Sequence, residues 1–367
     1  MSELEKLREQ LGELDTEFLR LVSKRSDLVS RIGRVKEEQG IATRDYGQEK
    51  IVLERARTRA RGMGVDEDVA ESLMVQLIRS SLQVQEKQRV AAEGDGEGRT
   101  ALVIGGSGKM GGWFVRFLSA QGYTVTVADP SRSTEDVEWV ADWRKSNLQQ
   151  DLIVVAAPLG KTAEVLAELA ECKPPGIVFD VGSLKTPLRH GLTALRDAGV
   201  RVTSVHPMFG PDTELLSGKH VLFVDLGDGV ATARARSLFE ATMAQQMEMG
   251  LDEHDRLIAY ILGLSHAVNI AFFTALSESA EDAPRLATLS STTFQAQLGV
   301  AARVASENPH LYYEIQSLND FGLESLNSLF SAVEGIREMV KCEDKAGFVQ
   351  LMDRGASYLR GIAIDRE

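Results

Sequence analysis

The sequence predicts a multidomain protein: an all-α domain, then an α/β domain built on a doubly wound sheet, then a second all-α domain. Three observations carry this. Leu4, Leu7, Leu11, Leu14, Phe18, Leu21, Leu28, Ile32 and Val35 recur at three- and four-residue steps, the period of one long amphipathic helix. The buried-strand run Ala101-Leu102-Val103-Ile104 passes directly into a glycine-rich turn, and further strands follow it at regular spacing. From about residue 230 onward the pattern is helical with little β signal. The expected domains are 1–90, 99–228 and 229–367, with Ala91 to Gly98, polar and glycine-rich, as a flexible linker.

Composition sets the outer limits. A chain of 367 residues can form two or three well-buried cores. The formal net charge of −13 argues against a nucleic-acid partner. Cys172 and Cys342, the two cysteines, give neither a disulfide framework nor metal-ligand spacing, so no metal is expected. Charge from Glu3 onward does not suit a signal peptide, and a cytoplasmic location is expected. Leu257 to Ser277 holds no Asp, Glu, Lys or Arg and is long enough for a membrane span. Ser265, His266 and Asn269 interrupt it and acidic residues flank it, which favours a buried helix of an all-helical domain and no membrane partner.

The first helix, residues 4 to 36, would be about 50 Å long. A domain of this size cannot cover such a rod along one side, so a partner helix is implied. Arg25 falls where the apolar series calls for a hydrophobic residue. A guanidinium there is costly unless an anion meets it, so Arg25 either binds an anionic ligand or closes an internal salt bridge. Lys36 lies further along the same face; Arg8 precedes Arg25 by about 25 Å, too far to share one small ligand. Gly40 ends this helix. A second helix, Tyr46 to Arg61, sets Asp45 and Glu49 facing the same way, and a third, Asp66 to Arg89, sets Ser81 and Gln85 one turn apart. Cations, carboxylates and neutral hydrogen bonders without a nucleophile suit holding a dianion in a fixed shape.

On these residues the N-terminal region resembles the all-helical chorismate mutase family, an intertwined helical dimer that rearranges chorismate to prephenate. Arg8, Arg25, Lys36, Asp45, Glu49, Ser81 and Gln85 stand where that family's binding residues stand. The resemblance implies that Arg8 serves the partner protomer's site. It also implies that the Arg and Lys side chains bind two carboxylates and an ether oxygen, Gln85 the same oxygen, and Glu49 the hydroxyl. Gln48 occupies a position where the family usually has arginine, which removes one charge from the pocket.

After the Ala101–Ile104 strand, Gly106, Gly108 and Gly111 meet the G-x-G-x-x-G spacing, with Lys109 and Met110 between them and a helix from Trp113 to Ala120 beyond. Such glycines let a pyrophosphate approach a helix N-terminus. A second strand, Tyr123 to Ala128, ends in Asp129, whose carboxylate suits ribose hydroxyls and disfavours a 2′-phosphate, hence NAD over NADP. This is the pattern of a Rossmann domain. Strands at Leu152 to Ala156, Ile177 to Val181, Arg201 to Val205 and Val221 to Asp225 extend the sheet. The first three end in loops carrying Pro158, then Ser183 and Lys185, then His206-Pro207, all on the edge where ligands bind in a parallel sheet. Ser183 could be only a turn residue and Lys185 only a solvated side chain. His206 could be only a turn cap, but the convergence on one edge favours a site residue, and imidazole titrates near neutrality.

In the C-terminal region Ser290-Ser291-Thr292-Thr293 starts a helix bearing Arg303, and Asn308-Pro309 starts another. Arg303 reads as either a ligand-binding or a surface charge, and His266 as either a functional or a core histidine. Residues 99 to about 340 resemble the prephenate dehydrogenase family, through the glycine loop, Asp180-Val181-Gly182-Ser183-Leu184-Lys185, the His206 turn and Leu289 to Arg303. Together the two resemblances match the bifunctional chorismate mutase/prephenate dehydrogenase family of tyrosine biosynthesis. That resemblance implies a homodimer with chorismate and prephenate as substrates, NAD as cofactor and tyrosine as inhibitor. It implies that His206 takes the proton of the substrate's ring hydroxyl and that Arg303 holds a carboxylate. Lys185, His254 and Tyr312 shape the site by the same resemblance, and His266 matches a position linked to tyrosine inhibition. Gln295 stands where some members have arginine. Two alternatives stay open: a dehydrogenase for prephenate or arogenate whose mutase-like module is catalytically silent, dimerising or effector-binding, and a different NAD-dependent dehydrogenase acting on a 3-hydroxy acid.

Overall fold

The computed structural model describes residues 2–361, so positions 362–367 of the expected C-terminal domain lie outside the described residues. Three helices open the chain: α1 (Glu3–Glu38), α2 (Tyr46–Met63) and α3 (Glu67–Glu93). Aspartates cap the second and third, Asp45 accepting from the Gln48 N–H and Asp66 from those of Asp68 and Val69.

α1 carries two faces. Val22, Arg25, Val29, Gly33 and Lys36 lie on the side that packs against α3. The apolar series from Leu4 to Val35 stays exposed, from 43% at Phe18 to 68% at Leu14. By the repeat of about 3.6 residues per turn, Arg25 falls inside the leucine stripe, where the side of α1 that packs against α3 overlaps it.

The glycine-rich segment before the sheet is not a flexible linker, which corrects the expectation for 91–98. α3 runs on to Glu93, and Gly96 donates its N–H to the Gln121 carbonyl at 2.9 Å. Asp95 pairs with Arg99 and Arg234. A Cβ on Gly94 would stand 2.6 Å from the Gln121 backbone, so the small residues here serve close packing rather than freedom.

The sheet domain continues with β1 (Thr100–Ile104), α4 (Lys109–Ala120), β2 (Thr124–Ala128) and β3 (Glu138–Val140). There follow β4 (Leu152–Val155), α5 (Leu159–Cys172), β5 (Ile177–Asp180), α6 (Arg189–Asp197), β6 (Val202–Pro207), β7 (His220–Asp225), α7 (Gly229–Ser237) and β8 (Gln245–Gly250). The spatial order is β3-β2-β1-β4-β5-β6-β7-β8. Every pair is parallel except β6 with β7. β1 and β4 are buried along both faces, as apolar strands between two helical layers must be. One layer anchors on an aromatic cluster in which Trp113 stacks on Phe117 at 4.7 Å and Phe114 meets Phe179 edge-on at 5.9 Å.

The sheet therefore ends at Gly250, and the helical region starts after it rather than at residue 229. Sequence reading missed β8 because Gln245-Gln246-Met247-Glu248-Met249-Gly250 lies on an exposed edge and has no β-branched residue. β3, at the opposite edge, was hidden because three residues are too few to show an alternating pattern. By compactness the chain divides after Gly250, with Ser183–Pro187 belonging to the second unit.

The second unit is helical: α8 (Leu251–Ile258) continues through a π-helical stretch, Ala259–Leu264, into α9 (Ser265–Glu278). Then come α10 (Ala283–Thr288), α11 (Thr292–Ser306), α12 (Pro309–Ser317), α13 (Gly322–Lys341) and α14 (Lys345–Leu359). Ser291 and Asn308 cap α11 and α12 as their sequence positions suggest. The run Leu251–Glu278, mean hydropathy 1.7, is long and apolar enough to cross a membrane by length and composition. Only 28% of its apolar window is buried, so it is less enclosed than the buried core helix expected there.

Candidate functional site

The first cluster forms where α1, α3 and the start of α2 meet. Arg25 donates from Nη1 to the Leu77 carbonyl at 2.9 Å and to Ser81 Oγ at 2.5 Å, and burial lowers its pKa from the ordinary guanidinium value. Both acceptors are neutral, so the positive charge is held in place without being cancelled. Lys36 Nζ donates to the Thr43 carbonyl at 2.8 Å. Lys36, Thr43 and Gln85 line a cavity of about 140 Å³ together with Gly33, Gln88 and Arg89. Gly33 makes room for Gln85: a Cβ there would stand 3.1 Å from Gln85 Cγ. Gln85 Oε1 is buried without a hydrogen-bond partner, an orphan acceptor whose amide can also turn to present its donors. Glu49 is held bidentately by Arg44, both N–O distances being 3.0 Å. Asp45 is spent on capping α2, Gln48 points an exposed side chain from that helix, and Arg8 lies exposed near the start of α1.

The second cluster is the turn from β1 into α4. Gly105, just ahead of the expected glycines, takes φ +83°, and a Cβ on it would come within 2.7 Å of the Ala156–Ala157 backbone at the end of β4. A Cβ on Gly111 would collide with the Gly105 carbonyl. The helix begins at Lys109, earlier than expected, so Lys109, Met110 and Gly111 form its first turn. Gly108 caps that turn with no side chain, leaving its N–H groups for a ligand. At the end of β2 the Asp129 carboxylate accepts from the Ser107 and Ser131 N–H groups at 3.2 and 2.8 Å, which fixes its orientation beside the loop. The strand order changes direction between β1 and β4, the crevice where dinucleotides bind. The residues present therefore fit such a cofactor, with Pro158 at the head of α5 on the same edge.

His206 extends this edge. β5 pairs with β6 only as far as Asp180 opposite Ser204, so His206 lies two residues beyond the last parallel pair. There β6 is held on its other side by antiparallel β7, with His206 opposite Leu222. The strand thus does not end at Val205, as its sequence pattern suggests, but runs through Pro207. His206 is 4% exposed, and Ser204 Oγ, on the same face, is buried without a hydrogen-bond partner.

The second unit holds a cluster of its own around Asp255, which, with His254, lies fully buried in α8. Its carboxylate accepts from the Lys185 N–H at 2.9 Å, from the Thr186 N–H at 2.5 Å, and contacts His254 Nδ1 at 2.6 Å. Asn319 Nδ2 donates to the Asp255 carbonyl at 2.8 Å. Burial alone would raise the Asp255 carboxyl; the bonds from His254 and Thr186 overcome it and hold it below the usual carboxylate range. Lys185 is fully buried, which removes the reading as a solvated side chain, and Ser183 is half-buried. His266 packs on Tyr312 with ring centroids 4.2 Å apart. Burial pushes the His266 imidazole down to about 4, and its Nδ1 has no hydrogen-bond partner. Burial, and then the charge of Glu307, raise the Tyr312 phenol. Arg303 and Gln295 lie exposed on α11.

Sequence reasoning missed Arg44, Glu86 and Asp255. Glu86 and Asp255 had a signal: each is a carboxylate on an otherwise apolar helix face, Glu86 between Leu82 and Val90 one turn either side. Arg44 had none beyond its place next to a helix cap.

Residues 7–86 match the chorismate mutase type II family, residues 116–246 the prephenate dehydrogenase nucleotide-binding domain, and residues 251–354 the prephenate dehydrogenase dimerization domain. The chain is 27% identical over 358 residues to the T-protein of Enterobacter agglomerans, covering 96% of this chain and 92% of that one. It is likewise 27% identical over 355 residues to the T-protein of Haemophilus influenzae, covering 95% and 90%. The chain belongs to the bifunctional chorismate mutase/prephenate dehydrogenase family. In fold it also resembles a prephenate dehydrogenase from A. aeolicus solved with hydroxyphenyl propionate and NAD+: TM-score 0.60, 18% identity, 72% of this chain and 98% of that one. The three family matches break between residues 86 and 116 and again between 246 and 251, where β8 ends.

The Asp255 cluster makes this family member's second unit sensitive to acid. Because the folded-state pKa of Asp255 lies below its unfolded value, its contribution is present above the ordinary carboxylate range and is lost as pH falls through the folded value. Asp255→Asn sets an amide donor against the Lys185 and Thr186 N–H groups. It should cost about 3 kcal/mol at pH 7 and flatten the acid side of the stability profile. Denaturation midpoints measured from pH 3 to 7 check this, and an unchanged midpoint at pH 7 rejects the clamp.

Proposed function

We propose that this chain rearranges chorismate to prephenate in its helical pocket and then carries out NAD-dependent oxidative decarboxylation of prephenate to 4-hydroxyphenylpyruvate, in tyrosine biosynthesis. The observation that carries the reading is the presence in one chain of a cation-lined helical pocket and of a dinucleotide-type sheet edge that His206 overhangs. The silent-module alternative is disfavoured, because Lys36 and Gln85 line the cavity, Arg25 is held oriented elsewhere on α1, and Gln85 keeps an unused hydrogen-bonding atom.

In the first reaction Arg25 and Lys36 bind the substrate's carboxylates and ether oxygen. Gln85 binds the same oxygen, and Glu49 the hydroxyl. Ser81 holds Arg25, and Asp45 fixes the helix start that carries Glu49. The rearrangement is unimolecular and needs no nucleophile, so a pocket that folds a flexible dianion into one shape and meets its developing charge is sufficient. Arg8 completes the pocket of a second copy.

In the second reaction bound NAD+ supplies the hydride acceptor. Gly106, Gly108, Lys109, Met110 and Gly111 would cradle its pyrophosphate, Asp129 would bind its ribose, and Pro158 lines the same edge. His206 accepts the proton of the ring hydroxyl, a task suited to imidazole. Aromatisation then favours departure of the ring carboxylate as CO2. Arg303 binds a substrate carboxylate, while Ser183, Lys185, His254 and Tyr312 shape the site. His266, beside Tyr312, belongs to tyrosine inhibition.

The assembly we propose is a soluble, cytoplasmic homodimer. Its support is the uncovered leucine face of α1 and the exposed apolar residues of the Leu251–Glu278 run, two surfaces that a second copy would cover. The working division is a mutase domain to Glu93, a nucleotide-binding domain to Gly250 and a helical domain from Leu251.

The coupled assay tests the whole reading. Chorismate alone should give prephenate, and chorismate with NAD+ should give NADH and 4-hydroxyphenylpyruvate in equal amounts; prephenate without NADH formation would reject the dehydrogenase half. His206→Asn is expected to lower dehydrogenase turnover at least about a hundredfold, the usual scale for a lost general base, with NAD+ binding nearly intact. Arg25→Ala should abolish mutase turnover while the dehydrogenase stays active on supplied prephenate. Loss of both activities with loss of helicity would instead make Arg25 a structural residue.

A further inference from the structure

The strand that carries His206 leads into a loop, residues 208–219, which returns as β7. Its ends are pinned by the sheet: His206 pairs with Leu222 and Pro207 with Val221, and the Met208 N–H donates to the His220 carbonyl at 2.9 Å. Its middle is not carried by the sheet. Residues 211–216 form one wall of a cavity of about 580 Å³ whose other walls are α3 and α4. Leu216 of this loop is buried in the core and Phe209 packs on Trp113 at 5.1 Å; hydrogen bonds fix the rest.

One tether is Trp113 of α4, whose indole N–H donates to the Thr213 carbonyl at 2.9 Å. The others come from the mutase domain. Glu86 accepts from the Leu216 N–H through Oε1 and from the Met243 N–H through Oε2, both at 2.7 Å. Gln83 and Lys87 reach Glu214. Arg44 Nη1 donates to Ser217 Oγ at 2.7 Å. The same guanidinium clasps Glu49 through Nε and Nη2, and stands 4.3 Å from the centroid of the Tyr46 ring.

We propose that Arg44 is a positioning residue shared by both reactions: it orients Glu49 in the mutase pocket and, through Ser217, steadies the loop that continues from His206. The inference rests on the function proposed above and extends it. A planar guanidinium cannot turn toward one partner without moving relative to the other, since its donors are fixed in one fork. A ligand that shifts Glu49 therefore shifts Ser217. The arrangement also returns a guanidinium to the neighbourhood of α2's first turn, where Gln48 lacks one, but spends it on a protein carboxylate instead of on substrate.

Ser217→Ala cuts the loop arm alone, Arg44→Ala cuts both arms, and Arg44→Lys keeps the charge but not the fork. In the full chain, Ser217→Ala is expected to raise the dehydrogenase KM for prephenate about three- to tenfold, with mutase kcat/KM, the KM for NAD+ and the melting temperature unchanged. Arg44→Ala should lower mutase kcat/KM at least about thirtyfold and reproduce the Ser217→Ala effect on the dehydrogenase. The double variant should be no worse for the dehydrogenase than Arg44→Ala, and Arg44→Lys should rescue neither reaction fully. An unchanged prephenate KM in Ser217→Ala, or additive effects in the double variant, overturns the shared role. Failure of the proposed function itself would look different, because the unaltered protein would then not turn over chorismate or prephenate.

Discussion

A charge taken out of water must be met by groups of matching polarity, and three such charges fasten this chain. Arg25 is met by a carbonyl and a hydroxyl of α3, Glu86 by two backbone N–H groups of the sheet domain, and Asp255 by the backbone at Lys185–Thr186 and by His254. In each case the charge has a partner on a different element from its own. The pairing therefore fixes how elements lie against one another, more than it adds to net stability. Arg25 sets α1 on α3, Glu86 sets α3 on the loop after His206, and Asp255 sets the Ser183–Pro187 segment on α8.

The fold was legible where the sequence repeats a simple period. The long helix from Leu4, the strand leading into the glycine turn and the caps at Asp45, Ser291 and Asn308 could be read because propensity, burial and local hydrogen bonding agree there. The edge strands β3 and β8 could not, since pairing along one side asks little of their side chains. The ordered 94–98 segment was hidden because glycine serves close approach as well as flexibility, and composition does not separate the two.

The candidate sites were legible in their residue types but not in their geometry. Lys36 and Gln85 could be placed in one pocket through the family resemblance, yet the cavity wall at Thr43 and the clasp of Arg44 on Glu49 depend on how the connection between α1 and α2 folds back. His206 could be placed on the ligand-binding edge, but its overhang past β5 follows from a register that only the paired strands reveal. Lys185 shows the opposite failure: its sequence looks like a surface turn, whereas it is fully buried and its backbone N–H is held by a carboxylate seventy residues away in the chain, Asp255.

The leucine face of α1 has a consequence for the order in which the molecule is made. In a chain synthesised from its N-terminus, α1, α2 and α3 are complete once Glu93 has emerged, and they need only contacts that are near in sequence. The eight-stranded sheet is not closed until β8, at Gly250, because β1 waits for β4 and β7 waits for β8. For all of that interval the nascent chain presents its apolar seam to the surroundings. The uncovered leucine face of α1 is therefore also the first apolar surface that the growing chain presents.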